Sequence, residues 1–114
     1  MDICFDGVGQ VAATFAVNGQ VEPGMAVTLT DNGTVGLGKD GNALCGVALG
    51  RVRNGAAAVQ IGGAAQVGWS GTVPVVGWQG LACDGQGGVK TAGDGMKWLV
   101  LAVDENEKTA VIKL

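Results

Sequence analysis

Side chains that usually carry out catalysis are scarce in this sequence. The chain contains no histidine and no tyrosine. Without histidine there is no Ser-His-Asp or Cys-His nucleophile system, and most zinc and iron sites are excluded. The three cysteines, Cys4, Cys45 and Cys83, have neither metal-site nor redox spacing. We therefore expect small buried thiols in a reducing cytoplasm. The alternative is an enzyme that uses Cys45 or Cys83 with nearby acids.

Two further motifs have a plain structural interpretation. Residues 36–41 (GLGKDG) match a G-x-G-x-x-G pattern, but a dinucleotide site needs a helix directly after it. The residues that follow, NALCGVAL, are typical of a strand, so a glycine loop without a cofactor is expected. The acidic run 104–107 (DENE) lacks the alternating oxygens and central glycine of a calcium loop. It predicts a solvated hairpin tip, and no catalytic, cofactor-binding or metal-binding residue is predicted anywhere.

Charge and hydropathy exclude two kinds of partner. The net charge is −3, with seven Lys and Arg residues spread along the chain, whereas a nucleic-acid binder normally carries a basic face. No apolar run approaches the ~20 residues of a membrane-spanning helix. Residues 1–10 lack the basic start and apolar core of a signal peptide. We expect a protein that is made in the cytoplasm and binds neither nucleic acid nor membrane.

Glycine divides the chain into short strands. Its 22 residues compare with about 8 expected for this length, and they stand singly or in pairs between apolar runs, as turns do. Residues 10–18 could form a short helix, but the Asn18-Gly19 pair that follows is a hairpin signal. Residues 96–114 read strand, polar loop, strand. The other predicted strands are 25–30, 34–37, 44–53, 56–61, 64–69, 78–83 and 89–91.

This pattern predicts an all-β fold of one domain, residues 1–114. We expect a small β-barrel, closed or partly open, of about ten short strands. An internal repeat is visible at an offset of 53 residues, at which Gly24 corresponds to Gly77. Phe15 and Trp69 take equivalent places before each repeat. The halves 11–63 and 64–114 would then pack about a pseudo-two-fold axis and share one core. The alternative is chance similarity between two glycine-rich β segments.

All three tryptophans lie in the second half of the chain. Trp98 belongs to a run that is apolar on both faces, which predicts a strand buried from both sides. Trp69 and Trp78 flank the segment SGTVPVVG and are either core residues or interface anchors. The candidate interface residues are Trp69, Val73, Pro74, Val75, Val76 and Trp78.

The order of these motifs resembles small structural-module proteins of phages and prophages. The motifs cover residues 12–114 and read ATF, V-x-G-x-V-x-x-G-x-x-V, DNGTV, CGVAL, AAVQIGG, P-x-V-G, DGQGGVK and KWLVLAVDE. The family they resemble is linked to capsid decoration or head fibres. The resemblance implies a compact β-barrel without catalytic residues that binds capsid or copies of itself. Residues 1–10 do not match the pattern.

From this resemblance we expect a non-enzymatic virion structural protein, a capsid accessory or decoration protein on the capsid surface. Its expected partners are phage capsid protein and itself, with a trimer favoured. The apolar fraction of 47% and the charged fraction of 15% also favour self-association. Association with further copies would bury exposed apolar patches and unpaired sheet edges. The alternative function is a β-barrel module that binds a small ligand or glycan in a mouth lined by Trp69 and Trp78.

Overall fold

The computed structural model describes residues 10–114, and none of these residues is helical. The prediction of an all-β fold with about ten short strands is confirmed. In residues 10–114 the chain therefore has no helix that could cross a membrane. The strands are β1 (Val11–Asn18), β2 (Ala26–Asp31), β3 (Thr34–Leu37), β4 (Gly46–Ala48), β5 (Ala56–Gly62), β6 (Ala64–Gly68), β7 (Gly77–Cys83), β8 (Val89–Thr91), β9 (Met96–Asp104) and β10 (Thr109–Lys113).

The strands are distributed over two sheets of five. Strands β1 to β5 form a closed barrel in the order β1-β3-β2-β4-β5, and β5 pairs back onto β1. Strands β6 to β10 form an open sheet in the order β6-β10-β9-β7-β8. Neighbouring strands are antiparallel except β1 and β3, which are parallel. The predicted barrel is thus closed over the first five strands, and the other five make a second, open sheet.

The two sheets have the same strand neighbours when β6 to β10 are matched with β1 to β5 in chain order. The edge strands β6 and β8 of the open sheet then correspond to β1 and β3 of the barrel. The parallel contact of β1 with β3 pairs Val17 with Val35. Its counterpart between β6 and β8 is one parallel bridge, from Trp69 to Val89. In this register Trp69 takes the place of Val17 and not of Phe15. A residue-by-residue repeat of 11–63 on 64–114 stays a prediction, which superposition of the two halves would test.

The buried core has two parts. Val27, Val35 and Val59 fill the inside of the barrel, each with no exposed surface. A larger cluster lies against the inner face of the open sheet, around residues such as Leu81 and Ile112. That cluster also contains residues of the first half, so the barrel packs against the inner face of the open sheet. The contributions from the first half are Ala26, Leu44 and Val47.

Three local predictions are wrong. The predicted strand 44–53 is shorter, because β4 covers only Gly46–Ala48. Asn18-Gly19 does not close a hairpin, because β1 pairs with β3 and β5 and not with β2. The β9 strand is not buried from both sides: Val100 faces the core and is buried, whereas Leu99, on the opposite face, is only half-buried. Trp98 is on the core side and is also only half-buried. The open sheet meets the core with one face, so alternate residues of β9 face solvent.

A buried glutamine holds the connection between the two sheets. Gln60, only 2% exposed, lies on β5 close to the crossing at residues 62–64. Its side-chain nitrogen Nε2 donates to the carbonyl oxygens of Gly62 (3.0 Å) and Ala64 (2.8 Å). Gly63, between them, has a φ of +83°, a conformation that glycine adopts at little steric cost. The Gln60 side chain therefore donates to two carbonyls on either side of this turn.

Candidate interaction surface

The loop between β6 and β7 carries apolar side chains into solvent. Val75 is 66% exposed and Val76 is 62% exposed. The loop contains Gly71 with φ +77° and ends at Gly77 with φ +108°, values that side-chain-bearing residues rarely adopt. These two glycines allow the chain to leave and re-enter the sheet sharply, which projects the valines outward. Val75 N donates to Gln79 Oε1 at 3.3 Å, a contact that ties the end of the loop to β7.

Trp78, the second residue of β7, is 70% exposed. It pairs with Leu99 of β9, and Leu99 pairs in turn with Lys113 of β10. Cross-strand partners lie on the same face of a sheet, so these three residues are neighbours on the side away from the core. On the same side, Val111 pairs with Ala102. We call the set Trp78, Leu99, Ala102 and Val111, with the adjoining loop residues Val75 and Val76, the tryptophan face.

Trp69 lies inside the protein. It is 6% exposed, and its indole nitrogen Nε1 donates to the carbonyl oxygen of Thr109 at 3.1 Å. Pro74 is also buried. Of the six candidate interface residues, the structure therefore places Val73, Val75, Val76 and Trp78 on the surface and the other two in the interior. Contact of the four exposed residues with a partner stays a prediction.

The two flanking tryptophans do not form a common ligand mouth. An open cleft of about 710 Å³ is lined by residues 19–23 together with Arg51 and Val52. Trp69 lines a separate recess of about 330 Å³, whereas Trp78 lies on the outer face of the open sheet. The geometry that the ligand or glycan alternative requires of these two residues is therefore not present.

The thiols are poor nucleophiles in this fold. Burial, and to a smaller extent the nearby charges of Asp84 and Cys45, together raise the pKa of Cys83 to about 11. Burial also raises the pKa of Cys45. Because the thiolate is the reactive form, a catalytic cysteine needs the opposite shift, and Asp84 opposes ionisation here. Cys4 lies outside the described residues.

The remaining motifs are turns. Residues 36–41 end β3 and continue as a loop, and no helix follows them. The acidic run forms the turn between β9 and β10, where Asp104 Oδ1 accepts from the backbone nitrogens of Asn106 (2.9 Å) and Glu107 (3.0 Å). The Asp104 carboxylate therefore stabilises the backbone of the hairpin turn. Within residues 10–114 no group of three or more His, Cys, Asp or Glu side chains is arranged to hold a metal ion.

The residues that sequence reasoning missed are those that strand pairing brings beside Trp78. Leu99 and Val111 lie 21 and 33 positions further along the chain, and they join Trp78 only through the registers of β7, β9 and β10. Their alternation within MKWLVLAV and TAVIKL was a usable signal for a shared face. The alternation shows which residues share a face, but it does not show which of the two faces is exposed to solvent.

Comparison with known proteins shows a likeness of fold. No protein-family model and no curated protein matches the sequence. Among solved structures, the chain is similar to the N base of the head fibre protein gp8.5 of bacteriophage phi29, with a TM-score of 0.62. The match covers 92% of this chain and 93% of that one, at 16% identity. The expected resemblance to phage head-fibre structural proteins is thus confirmed at the level of the fold.

Proposed function

We propose that this chain is a non-enzymatic virion structural protein, a capsid accessory or decoration protein that acts through protein–protein contacts. The observation that carries the proposal is the fold, which it shares over nearly its whole length with the base of a phage head fibre. The base of a fibre is a structural part of a particle. A protein with this fold and no reactive side-chain cluster in its described residues suits the same kind of role.

The chemistry of the site residues supports a binding role over a catalytic one. The thiols of Cys45 and Cys83 have raised pKa values, and the chain has no histidine to activate them. Asp84, the acid beside Cys83, is bonded to its own loop through the backbone nitrogens of Gln86 and Gly88. The polar groups of this region therefore hold the loop in shape.

The exposed apolar surface supports self-association. Trp78, Val75 and Val76 are each more than 60% exposed and lie within four residues of one another, at and just before the start of β7. Scattered apolar residues are ordinary on a soluble protein, but exposed apolar residues grouped around a tryptophan are typical of a contact surface. The partners proposed are further copies of this chain, as a trimer, and the phage capsid protein. Repetition over a symmetric shell would multiply weak individual contacts.

Self-association is tested by light scattering after size exclusion, at tens of micromolar protein. The expected mass for the wild type is three times the chain mass of 11.3 kDa. Trp78→Thr should shift the protein to monomer and leave its fold intact, because the replaced side chain is exposed and threonine suits a strand. The matched control is Met96→Thr: Met96 is 64% exposed but lies on the opposite side of the same sheet. A wild-type monomer at these concentrations would refute self-association.

Capsid binding is tested separately by sedimentation with shells assembled from the major capsid protein of the phage or prophage that encodes this chain. The protein should pellet with the shells at a fixed ratio and stay in the supernatant without them. A shell from an unrelated phage serves as the control for trapping. Failure to pellet at any concentration would contradict the capsid accessory role, whatever the oligomeric state.

A further inference from the structure

The proposed self-association constrains which surfaces can meet, and the following inference rests on it. A two-fold contact joins a surface patch to the same patch on the partner. A closed trimer instead puts a patch of one copy against a different patch of the next. If the tryptophan face is the contact in a trimer, its complement must therefore lie elsewhere on the chain.

The outward side of β1, β3 and β5 is built from small, uncharged side chains. Thr14 pairs with Ala58, and Ala16 pairs with Ala56 on one side and Thr34 on the other. The alternate residues of β1, Phe15 and Val17, pack into the barrel, so the paired set faces out. We call Ala12, Thr14, Ala16, Thr34, Ala56 and Ala58 the small-residue face.

Within residues 10–114, this face is the side of the barrel that does not pack against the open sheet. The outward residues of the opposite side, Ala26 and Val47, are 1% and 3% exposed because they pack against the open sheet. In contrast, Ala12, Thr14 and Ala16 are all exposed. The barrel therefore buries one side within the monomer and presents its other side to solvent.

The two faces fit each other in shape. Trp78 and Leu99 project from the open sheet, whereas the exposed side chains of the small-residue face are alanine and threonine. Gln60, which pairs with Ala12, is the one larger side chain in this register, and it is buried. Sheets pack face to face at about 10 Å when large and small side chains interdigitate. The small-residue face also contains no charge that would have to be buried. Other exposed segments do carry charges, such as the loop with Arg51 and Arg53 and the turn 104–108.

The sizes of the two faces also agree. Exposures of 70%, 66% and 62% for Trp78, Val75 and Val76 correspond to on the order of 300 Å² of apolar surface. That amount suits the apolar centre of a standard interface, which buries about 800 Å² per partner. With eight residues, β1 is about 26 Å long, and its two neighbours lie about 4.8 Å away on either side. The small-residue face is thus broad enough to cover that centre.

We propose that copies of this chain associate head to tail, with the tryptophan face of one copy packed on the small-residue face of the next. Each copy then contributes both faces, and a three-fold rotation closes the ring. The contact is apolar at its centre, with Lys97 and Lys113 at the margin of the tryptophan face.

The test is complementation between two variants. Thr14→Arg places a long cation on the small-residue face, and Trp78→Thr removes the largest side chain of the tryptophan face. Each variant alone should be monomeric, with an apparent dissociation constant raised at least tenfold. An equimolar mixture should form a 1:1 dimer, because the intact tryptophan face of the Thr14→Arg copy can meet the intact small-residue face of the Trp78→Thr copy. Asn106→Arg, at the exposed hairpin tip, is the control and should remain trimeric.

The outcomes separate this inference from the proposed function. If Thr14→Arg remains trimeric while Trp78→Thr is monomeric, or if the mixture stays monomeric at high micromolar protein, the head-to-tail pairing is wrong and self-association stands. If the wild type is itself monomeric, self-association and the pairing fail together, and shell sedimentation still decides the capsid role. Circular dichroism verifies that each variant is folded, and Ala12→Arg replaces Thr14→Arg if that variant is not.

Discussion

Gln60 offers the sharpest test of how the two sheets are held together. The proposed perturbation is Gln60→Leu, which keeps a side chain of similar volume and removes the amide. Gln60 is 2% exposed, and its nitrogen Nε2 serves two carbonyls, Gly62 O at 3.0 Å and Ala64 O at 2.8 Å. Leucine cannot donate to either oxygen. Both carbonyls lie beside the crossing between the sheets, where solvent replaces the lost donor poorly.

The expected magnitude follows from the number and burial of these bonds. A hydrogen bond contributes about 1 kcal/mol net, and leaving a buried acceptor unpaired costs about 1–3 kcal/mol. The bond to Ala64 is buried and the bond to Gly62 is partly buried, so the substitution should lower the free energy of unfolding by about 2–4 kcal/mol. For a domain of this size, 1 kcal/mol corresponds to a change in Tm of about 4–8 °C. A fall of roughly 8–30 °C in Tm is expected.

The assay is denaturant and thermal unfolding followed by circular dichroism. Wild type and variants are compared at one protein concentration, because oligomerisation makes apparent stability depend on concentration. Gln66→Leu is the matched control: Gln66 is exposed on β6, so its replacement should change the stability by less than about 0.5 kcal/mol. Equal stability of Gln60→Leu and Gln66→Leu would refute the view that Gln60 supports the crossing.

Two further predictions concern the packing around Cys83. Gly38→Ala should destabilise the fold by about 1–3 kcal/mol, because a Cβ at this position would clash with the Cys83 side chain. Gly50→Ala, where a Cβ meets nothing within 4 Å, should be tolerated in the same unfolding assay, and equal effects would contradict the packing. The Cys83 thiol, with its pKa raised from 9.0 to about 11, stays protonated in the folded state after the unfolded chain has ionised. Stability should therefore fall as pH rises from about 9 towards 11, and Cys83→Ala should flatten that decline; an unchanged pH profile in the variant would disprove the assignment.

Local chemistry in the sequence was enough to predict most strands and turns. Asp31-Asn32-Gly33 lies between apolar runs and does connect β2 to β3, because glycine with φ +58° at Gly33 suits a tight turn. The C-terminal hairpin was predicted for the same reason, since a polar loop separates two apolar runs in residues 96–114. Such signals depend on neighbours in sequence, so they are readable without the fold.

The candidate surface was predicted only in part. The exposed valines and Trp78 were among the six residues named from the segment between the tryptophans. Trp69 was named for the same reason and is buried. Nothing in the local sequence separates the two, because each is a large aromatic residue beside a glycine-containing loop. Their different environments follow from which face of the open sheet meets the core.

The sequence by itself determined the class of the fold, the position of its turns and the shortage of reactive groups, since each of these depends on residue type and short-range spacing. The tertiary structure decided that five strands close into a barrel while five stay open, that β1 runs parallel to β3, and that Leu99 and Val111 lie beside Trp78. Backbone hydrogen bonds are equally available to many pairings, so long-range register is selected by side-chain packing across the whole domain. Here that packing includes Ala26, Leu44 and Val47 against the inner face of the open sheet, an arrangement that arises only when both halves are folded together.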